Sequence, residues 1–223
     1  MTFSIVARCK KTGQFGAAIC SSSPAVGARC LQARAGIGVA ASQNITDPQL
    51  ANILLDMVTY DVSPQDAIQE LVFHTNSIEY RQLLLINSHD TPAAYTGAGA
   101  LGIAAHCIGI HAACAGNLLA HADVPTLMLD AFQTATGELS SRLIEALAQG
   151  LQAGGEAGPV HSAALLVVDR LSWPMVDLRV DWSEQPIEDL SQLWQRYAPQ
   201  VNDYLVRAQH PAGAPRYAVP GDE

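Results

Sequence analysis

The sequence predicts an α+β fold in which two mainly antiparallel β-sheets stack on each other and helices cover their outer faces. Two observations predict this arrangement. The β-like runs come in groups, separated by pairs of helical runs, and this differs from the strand–helix alternation of a Rossmann fold or an α/β barrel. The β-like runs are also rich in Ala, Gly, Val and Ile and carry few charges, so we expect both faces of each sheet to be covered.

Three β-like runs open the chain. Residues 2–9 and 15–22 are separated by the turn sequence KKTG and are predicted to form a hairpin. A loop around Pro24 and Gly27 follows. The small apolar residues of 36–43 then indicate a strand that is buried on both faces.

Two helices are predicted next, and both begin in the same way. Asp47 and Ser63 each provide a side-chain acceptor for a helix N-terminus, and each is followed by a proline, Pro48 or Pro64, at the first helical position. Asp66 is placed to complete a capping box with Ser63. Apolar residues at helical spacing follow both starts, so each helix is expected to bury one side.

The rest of the chain extends the same pattern to the order βββ-αα-βββ-αα-ββ-α. The remaining predicted elements are strands at 82–87, 93–96 and 107–115, helices at 126–134 and 139–151, strands at 162–168 and 175–181, and one helix over 186–209. We expect a single domain over residues 1–210. Residues 211–223 hold three Pro and two Gly and are predicted to form an irregular tail.

Composition limits the partners and the compartment. A net charge of −9 repels phosphate backbones, which argues against nucleic acid as a partner. Charged residues make up 15% of the chain, against about 25% in an average soluble domain, so we expect a homo-oligomer that covers part of its surface. No uninterrupted apolar run reaches the roughly 18 residues of a membrane span, and no signal sequence opens the chain. We therefore expect a cytoplasmic protein without membrane contact.

The cysteines and histidines do not predict a metal or a disulfide framework. Five widely spaced cysteines are an odd number and fit reduced thiols in the core. The run from His106 to Cys114 resembles a metal site, but on one continuous strand Cys107 and His111 point to one face and the two end residues to the other. No dinucleotide-binding, P-loop or G-x-S-x-G motif is present, so we expect no metal and no cofactor.

Thr2 is the residue with the most distinctive chemistry. Cells remove the initiator Met when the second residue is as small as Thr, so the mature chain would begin with Thr2 and its free α-amine. An α-amine titrates near pKa 7.7 to 8.0 and can take the proton of the hydroxyl on the same residue. The β-like sequence starts at Thr2 itself, which would hold this amine in a fixed place.

Seven sequence blocks occur in an order that resembles one protein family: MTFSIVAR at 1–8, PAVGAR at 24–29, AGIGVAASQ at 35–43, AYTG at 94–97, AGNLLA at 115–120, SAALLVV at 162–168 and DLRVD at 177–181. It is the bacterial and archaeal domain of unknown function 1028, placed by fold in the N-terminal-nucleophile (Ntn) hydrolase superfamily. The resemblance implies a four-layer αββα sandwich. It also implies Thr2 as a nucleophile, acting on an amide or related C–N bond, and it names no substrate.

Two features depart from related patterns. Many threonine-type Ntn hydrolases use a nearby lysine to depress the pKa of the amine, whereas the lysines here, Lys10 and Lys11, are adjacent in the first turn. Similar sequences often carry a basic residue after the first Ser of the second strand. This chain has Ser21, Ser22 and Ser23 there, which puts an anchor for an anionic substrate at that place in doubt.

Three polar residues at predicted strand ends are candidates for the site. Ser21 and Gln43 could face Thr2 and contact the substrate, or satisfy backbone groups of nearby loops. Asn117 is a candidate for stabilising a tetrahedral oxyanion through its side-chain amide, a role that local backbone N–H groups can also fill. Its alternative role is that of a turn residue that tolerates a positive φ angle.

Charged residues give weaker candidates. Asp177 and Arg179 alternate on one strand face, where they would orient the nucleophile and its amine or form a structural ion pair. Arg8, together with Arg29 and Arg34, is a candidate for holding a substrate carboxylate, or is a solvated surface residue.

The sequence therefore predicts a cofactor-free Ntn-type hydrolase that acts on a C–N bond other than a peptide bond in a small molecule, deamination included. Thr2 would be the nucleophile. Two alternatives stay open. One is a non-catalytic binding or scaffold protein with the same fold. The other is an enzyme that uses an internal residue, such as Ser21 or Cys20.

Overall fold

The computed structural model describes residues 2–220. Its strands are β1 (Thr2–Arg8), β2 (Phe15–Ser21), β3 (Leu31–Arg34), β4 (Gly38–Asn44), β5 (Arg81–Asn87), β6 (Ala93–Thr96), β7 (Ala105–Ile108), β8 (Ala112–Asn117), β9 (Ser162–Val168) and β10 (Val176–Val180). Its α-helices are α1 (Gly27–Cys30), α2 (Pro48–Thr59), α3 (Pro64–His74), α4 (Val124–Thr134), α5 (Leu139–Gln152), α6 (Pro186–Tyr197) and α7 (Val201–Gln209).

The strands of the described residues form two antiparallel sheets. The first sheet has six strands in the order β10-β9-β2-β1-β8-β7, so β1 and β2 lie at its centre. The second sheet has four strands in the order β3-β4-β5-β6. The hairpin of β1 and β2 was predicted, and so were the strands β9 and β10, which pair with each other; β2 pairs with β9 to join the two pairs.

Three apolar layers hold the sheets and helices together. On the outer face of the first sheet, Phe3 and Ile5 pack with helix residues such as Leu143. A second layer lies between the sheets. A third packs α2 and α3 against the second sheet. The result is the predicted four-layer αββα sandwich, in which both faces of each sheet are covered.

Helices α2 and α3 begin where the sequence predicts, and for the predicted reason. The Asp47 side chain accepts a hydrogen bond from the backbone N–H of Gln49, and the Ser63 hydroxyl accepts one from the backbone N–H of Asp66. The Ser63 hydroxyl also donates to the Asp66 carboxylate at 2.7 Å. These bonds satisfy N–H groups that have no partner within the helix. None of the helices in the described residues is long and apolar enough to span a membrane.

Three predicted elements were wrong. The loop predicted around Pro24 and Gly27 contains α1 and the short strand β3. The strand predicted over 107–115 is a hairpin of β7 and β8, because the chain turns at Gly109, whose N–H bonds to Ala112 O at 2.8 Å.

The third error concerns the last helix. The helix predicted over 186–209 is divided into α6 and α7 by a 3₁₀ turn at Ala198–Gln200. Pro199 lies in this turn and has no N–H to continue the α-helical hydrogen bonding. Pro199 was the available signal in the sequence, because a proline inside a helical pattern ends or kinks the helix; the prediction followed the apolar spacing, which continues on both sides of the proline.

Candidate active site

Side-chain alternation along β1 gives its two faces different surroundings. Phe3, Ile5 and Ala7 pack in the helix-covered layer, and Val6 packs in the layer between the sheets. Because successive side chains of a strand point to opposite faces, Thr2 points in the same direction as Val6. The side chain of Thr2 therefore faces the second sheet, at the end of the layer between the sheets, and it is 4% exposed.

The strand register brings polar residues to both sides of Thr2. Thr2 lies directly opposite Asn117 on β8, and Phe3 lies opposite Cys20 on β2. Continuing the antiparallel pairing of β1 with β2 by one residue brings Ser21 beside Thr2. Directly opposite residues of antiparallel strands point to the same face, so Ser21, Thr2 and Asn117 face the second sheet together.

Polar residues of the second sheet continue this arrangement. Gln43 on β4 lies opposite Gln82 on β5, and Gln82 lies opposite Thr96 on β6. Together with the three residues of the first sheet, these residues form a set that we name the polar row; its members are Ser21, Thr2, Asn117, Gln43, Gln82 and Thr96. All of them except Thr96 are buried.

Gln82 connects the polar row across the two sheets. Its Oε1 accepts hydrogen bonds from Gln43 Nε2 at 2.8 Å and from Asn117 Nδ2 at 3.2 Å. Its Nε2 lies within hydrogen-bonding distance of Thr96 Oγ1 and of the carbonyl oxygens of Ala105 and Gly116. A buried network of this kind fixes the relative position of the sheets at this end.

Asn117 has one side-chain atom without a partner. Its Nδ2 donates to Gln82, while Oδ1 is buried and accepts no hydrogen bond within the described residues. Most buried polar atoms in proteins are hydrogen-bonded. The strand beside Thr2 therefore carries a buried acceptor, Asn117 Oδ1, without a hydrogen-bond partner among the described residues.

Hydroxyl groups lie on the other side of Thr2. Thr2 Oγ1 is 3.5 Å from Ser21 Oγ, at the long limit for a hydroxyl hydrogen bond. Ser21 Oγ is 2.8 Å from Ser23 Oγ, and Arg29 Nη2 donates to Ser23 Oγ at 2.7 Å. Ser4, two residues after Thr2 on β1, donates to Gln43 Oε1 at 2.6 Å. The hydroxyl groups thus link Thr2 to the guanidinium group of Arg29, and Ser4 links β1 to the second sheet.

The structure brings some of the sequence candidates together and keeps others apart. Ser21, Gln43 and Asn117 share the polar row with Thr2. Arg8 is at the opposite end of β1, where Nη1 donates to the carbonyl of Ser88. Its position gives it no contact with the polar row.

Two further candidates lie far from the row. Asp177 and Arg179 form an ion pair at 3.2 Å on β10, the edge strand, and β9 and β2 separate this strand from β1. They therefore have the geometry of the structural ion pair that the sequence offered as an alternative. They do not contact Thr2 in this arrangement.

Cys20 faces away from the polar row. It packs in the helix-covered layer with Phe3. Burial raises the pKa of the Cys20 thiol far above its ordinary value, and the nearby Glu156 carboxylate raises it further. The thiolate is the reactive form of cysteine, so this environment suppresses nucleophilic character.

The run from His106 to Cys114 is arranged differently from the strand that the sequence predicted. The chain turns between Ile108 and Ala112, so Cys107 lies directly opposite Cys114. His106 Nδ1 is 2.8 Å from Thr96 Oγ1. In the part of the chain that the structure describes, no group of three or more His, Cys, Asp or Glu side chains is placed to hold a metal ion.

Sequence reasoning did not identify Gln82 or the contact between Ser23 and Arg29. Gln82 opens the apolar run QLLLIN. Its polar side chain lies at a position of the strand that points into the protein, and this was the signal that could have identified it. Its partners come from β4, β6, β7 and β8, which only the stacking of the two sheets brings together.

Two sizeable surface cavities, of about 430 and 530 Å³, are lined by residues outside the polar row.

Glu156 is a buried carboxyl group close to β2. Its side chain is 3% exposed, Oε1 accepts a hydrogen bond from the backbone N–H of Ser22 at 3.0 Å, and Oε2 has no partner within the described residues. Burial raises the pKa of Glu156 above its ordinary value of 4.5, and hydrogen bonding from Ser22 opposes that rise. The folded protein therefore favours the protonated form more than the unfolded chain does.

Replacing Glu156 by glutamine is expected to change how stability depends on pH. As the pH rises from 4.5 to the raised pKa of the folded state, the unfolded chain has released a proton that the folded protein still holds. The free energy of unfolding of the wild type falls over this range, and the variant lacks that loss. Urea denaturation between about pH 4 and pH 8 should show Glu156→Gln gaining stability relative to the wild type as the pH rises.

The exposed Glu145 on α5 provides the matched control for this experiment. Glu145→Gln makes the same chemical change without burial and should show no such gain. A difference between Glu156→Gln and the wild type that stays constant over the pH range would contradict the assignment of a raised pKa to Glu156.

The four layers, with a threonine at the start of a central strand and a polar row between the sheets, define a four-layer αββα sandwich. The sequence profile of DUF1028, which is described as a family of unknown function, matches residues 2–190. The chain belongs to this family, which confirms the resemblance seen in the sequence.

The chain is similar, to different degrees, to several solved structures. The crystal structure of protein SPO2555 from Silicibacter pomeroyi, of the same family, is 29% identical with a TM-score of 0.83 and covers 88% of this chain and 89% of that chain. A Gly-1 mutant of Anbu from Hyphomicrobium sp. strain MC1 is 11% identical with a TM-score of 0.44, covering 92% and 99% of the two chains. Anbu from Yersinia bercovieri, described as an ancestral beta-subunit, is 8% identical with a TM-score of 0.41, covering 91% and 97%. No curated protein matches this sequence significantly.

Proposed function

We propose that the protein is an Ntn-type hydrolase that cleaves an amide or related C–N bond of a small metabolite, with Thr2 as the nucleophile after removal of Met1. One observation carries this proposal. Thr2 is the first residue of the central strand β1, and its hydroxyl lies in the polar row, between Ser21 and Asn117. Met1 lies outside the described residues.

The first half of the reaction uses two groups of the same residue. The α-amine of Thr2 takes the proton of Oγ1, and Oγ1 forms a bond to the carbonyl or amidine-like carbon of the substrate. The π electrons of the attacked double bond move to its heteroatom and give a tetrahedral intermediate. When that intermediate collapses, the C–N bond breaks and the amine returns the proton to the leaving nitrogen. Strand pairing supplies the fixed geometry that this exchange requires.

The second half of the reaction hydrolyses the ester formed on Thr2. The free amine takes a proton from water, the water oxygen attacks the ester carbon, and the bond from carbon to Oγ1 breaks. The proton then returns to Oγ1, which restores the enzyme. If ammonia is the group that leaves in the first half, the net reaction is a deamination. The same residues carry either outcome, so substrate identity depends on the walls of the site.

Asn117 supports the developing charge in this proposal. Its Nδ2 uses one N–H on Gln82 and keeps a second N–H for an oxyanion beside Thr2. Removing one donor from an oxyanion hole typically costs about 10²- to 10³-fold in rate. The unpartnered Oδ1 of Asn117 is an acceptor for an N–H of the Thr2 amine or of the substrate. Gln43 and Ser21 complete the substrate contacts.

The position of the row favours a small substrate. Thr2, Ser21, Gln43 and Asn117 are each at most 4% exposed, and the row lies between two stacked sheets, where a folded protein chain does not fit. The small-molecule partner and the homo-oligomer that the composition indicates stay predictions, as does the cytoplasmic location.

Mass spectrometry of the wild-type protein, prepared without an N-terminal tag, tests the proposal. Intact masses are measured before and after exposure to an electrophilic probe for N-terminal nucleophiles, and the adduct is mapped by peptide sequencing. We expect loss of Met1 and one adduct on Thr2. Complete retention of Met1 in the native host would overturn the mechanism. An adduct on Ser21 or Cys20 alone would move the nucleophile to an internal residue.

A further inference from the structure

A chain of polar contacts runs from Thr2 to a guanidinium group. Thr2 Oγ1 lies 3.5 Å from Ser21 Oγ, Ser21 Oγ lies 2.8 Å from Ser23 Oγ, and Arg29 Nη2 lies 2.7 Å from Ser23 Oγ. The chain therefore joins the hydroxyl that the proposed function uses to a permanent positive charge.

The chemistry of Arg29 sets the direction of the hydrogen bond at the outer end of this chain. A guanidinium group donates hydrogen bonds and accepts none, so Ser23 Oγ is the acceptor at that end. A hydroxyl group can rotate, so the Ser23 hydroxyl can donate to Ser21 Oγ, and the Ser21 hydroxyl can turn to donate to Thr2 Oγ1. In that arrangement both hydroxyls donate toward Thr2, and Ser21 Oγ also accepts a hydrogen bond from the backbone N–H of Ser23 at 3.1 Å.

This direction matches the needs of a nucleophile that is losing its proton. With its proton in place, Thr2 donates to Ser21. Once the amine has taken that proton, rotation of the Ser21 and Ser23 hydroxyl groups turns both donors toward Thr2 Oγ1. Ser21 and Ser23 keep their own protons in this step. Hydrogen bonds to a charged oxygen are shorter and stronger than neutral ones, so the 3.5 Å contact is expected to tighten in this state.

The surroundings hold the outer end of the chain in place. Arg29 Nη1 donates to the carbonyl oxygens of Pro24 and Ala25, and Ser162 Oγ donates to the carbonyl oxygen of Ser23 at 2.6 Å. Within the described residues Arg29 makes no ion pair, so no carboxylate neutralises its charge. Arg29 and Ser23 are thus fixed before any substrate arrives, and little energy is needed to order them during the reaction.

We propose that Arg29, Ser23 and Ser21 form a directed hydroxyl relay that stabilises Thr2 Oγ1 while it is deprotonated. Ser21 contacts the reacting atom, whereas Ser23 and Arg29 are positioning residues that act through it. The relay rests on the proposed function, since it serves the nucleophile named there. It also assists the second half of the reaction, because the bond from carbon to Oγ1 breaks more easily when Ser21 donates to the departing oxygen.

The test measures the rate at which the electrophilic probe modifies Thr2 in Ser23 variants. Ser23→Ala removes the middle of the relay and leaves the bonds of Arg29 to Pro24 and Ala25 in place. We expect its rate to fall by about 10- to 100-fold, the effect of losing one hydrogen bond to a charged group. Ser23→Thr keeps a hydroxyl and is expected to retain most of the rate.

Ser22→Ala is the matched control. It removes a hydroxyl from the adjacent position of the same loop, outside the relay, and should label at the wild-type rate. Thermal unfolding and circular dichroism check that each variant is folded. If Ser23→Ala does not fold, Ser23→Cys, which has a similar shape and a weak S–H donor, carries the test and should show the same loss.

Two results would overturn the relay, and they are distinguishable. If the wild type is not modified at Thr2, the proposed function fails and the relay fails with it. If the wild type is modified at Thr2 and the folded Ser23 variant reacts at the same rate, the proposed function stands and the relay is wrong. A loss that Ser23→Thr does not recover would also contradict it, because it would point to the shape of the loop instead of its hydroxyl.

Discussion

Replacing Thr2 by alanine is expected to abolish modification by an electrophilic probe and to lower any hydrolytic rate by about 10³-fold or more. Removing a covalent nucleophile deletes the step on which the reaction depends, and such losses are large. Alanine is smaller than threonine, so removal of Met1 should proceed and the α-amine should remain. The variant therefore tests the hydroxyl alone. Intact mass and initial rates are the measurements.

Two further variants complete the Thr2 experiment. Thr2→Ser keeps a hydroxyl on the first residue and is expected to react, at a lower rate if the threonine methyl group helps to hold the oxygen in place. Thr12→Ala removes a threonine hydroxyl in the exposed turn between β1 and β2, where Oγ1 accepts from the N–H of Gln14 at 3.3 Å, and should react like the wild type. Full activity in Thr2→Ala would leave Ser21 as the internal nucleophile that the structure places in the polar row.

The layers of the fold could be predicted because they depend on local patterns. Strands with small, apolar residues on both faces require cover on both sides, and the segregation of strand groups from helix pairs excludes parallel α/β architectures. Asp47 and Ser63 marked their helices correctly, since capping is a short-range interaction within the helix. These predictions did not depend on strand order.

Predictions that needed strand order or spacing in three dimensions were less successful. One such prediction succeeded: Ser21 and Asn117 are the last residues of β2 and β8, Gln43 is next to last in β4, and all three lie in the polar row with Thr2. Asp177 and Arg179 also alternate on a strand, yet β10 lies at the edge of the first sheet, away from β1. Alternation fixes the face of a residue, and only the order of strands fixes its distance from Thr2.

The contacts of Arg29 and Gln82 could not have been predicted from one sequence. Arg29 reaches Ser23 because α1 forms in a segment that the sequence pattern presents as a loop. Gln82 satisfies groups on four other strands, and the distances among them depend on the stacking of the two sheets. A glutamine at a strand position that points into the protein indicates that it has a polar partner, but which residue that partner is depends on the tertiary structure.

Replacing Gln82 by leucine is expected to lower the free energy of unfolding by about 3 kcal/mol or more, because a buried donor or acceptor left without a partner costs about 1 to 3 kcal/mol. The side chain of Gln82 is fully buried and bonds to Gln43, Asn117 and Thr96. Leucine fills a similar volume and satisfies none of these groups. Urea denaturation followed by circular dichroism measures the change.

Gln69→Leu is the matched control for this measurement, because Gln69 lies on the exposed side of α3 and the substitution changes the same atoms. Its effect should stay within about 0.5 kcal/mol. A loss below about 1 kcal/mol in Gln82→Leu would show that the two sheets stay in register without the network, since a single typical hydrogen bond contributes about that amount. A large loss, with slower modification of Thr2 in the molecules that remain folded, would show that one network both joins the sheets and places Asn117 beside the nucleophile.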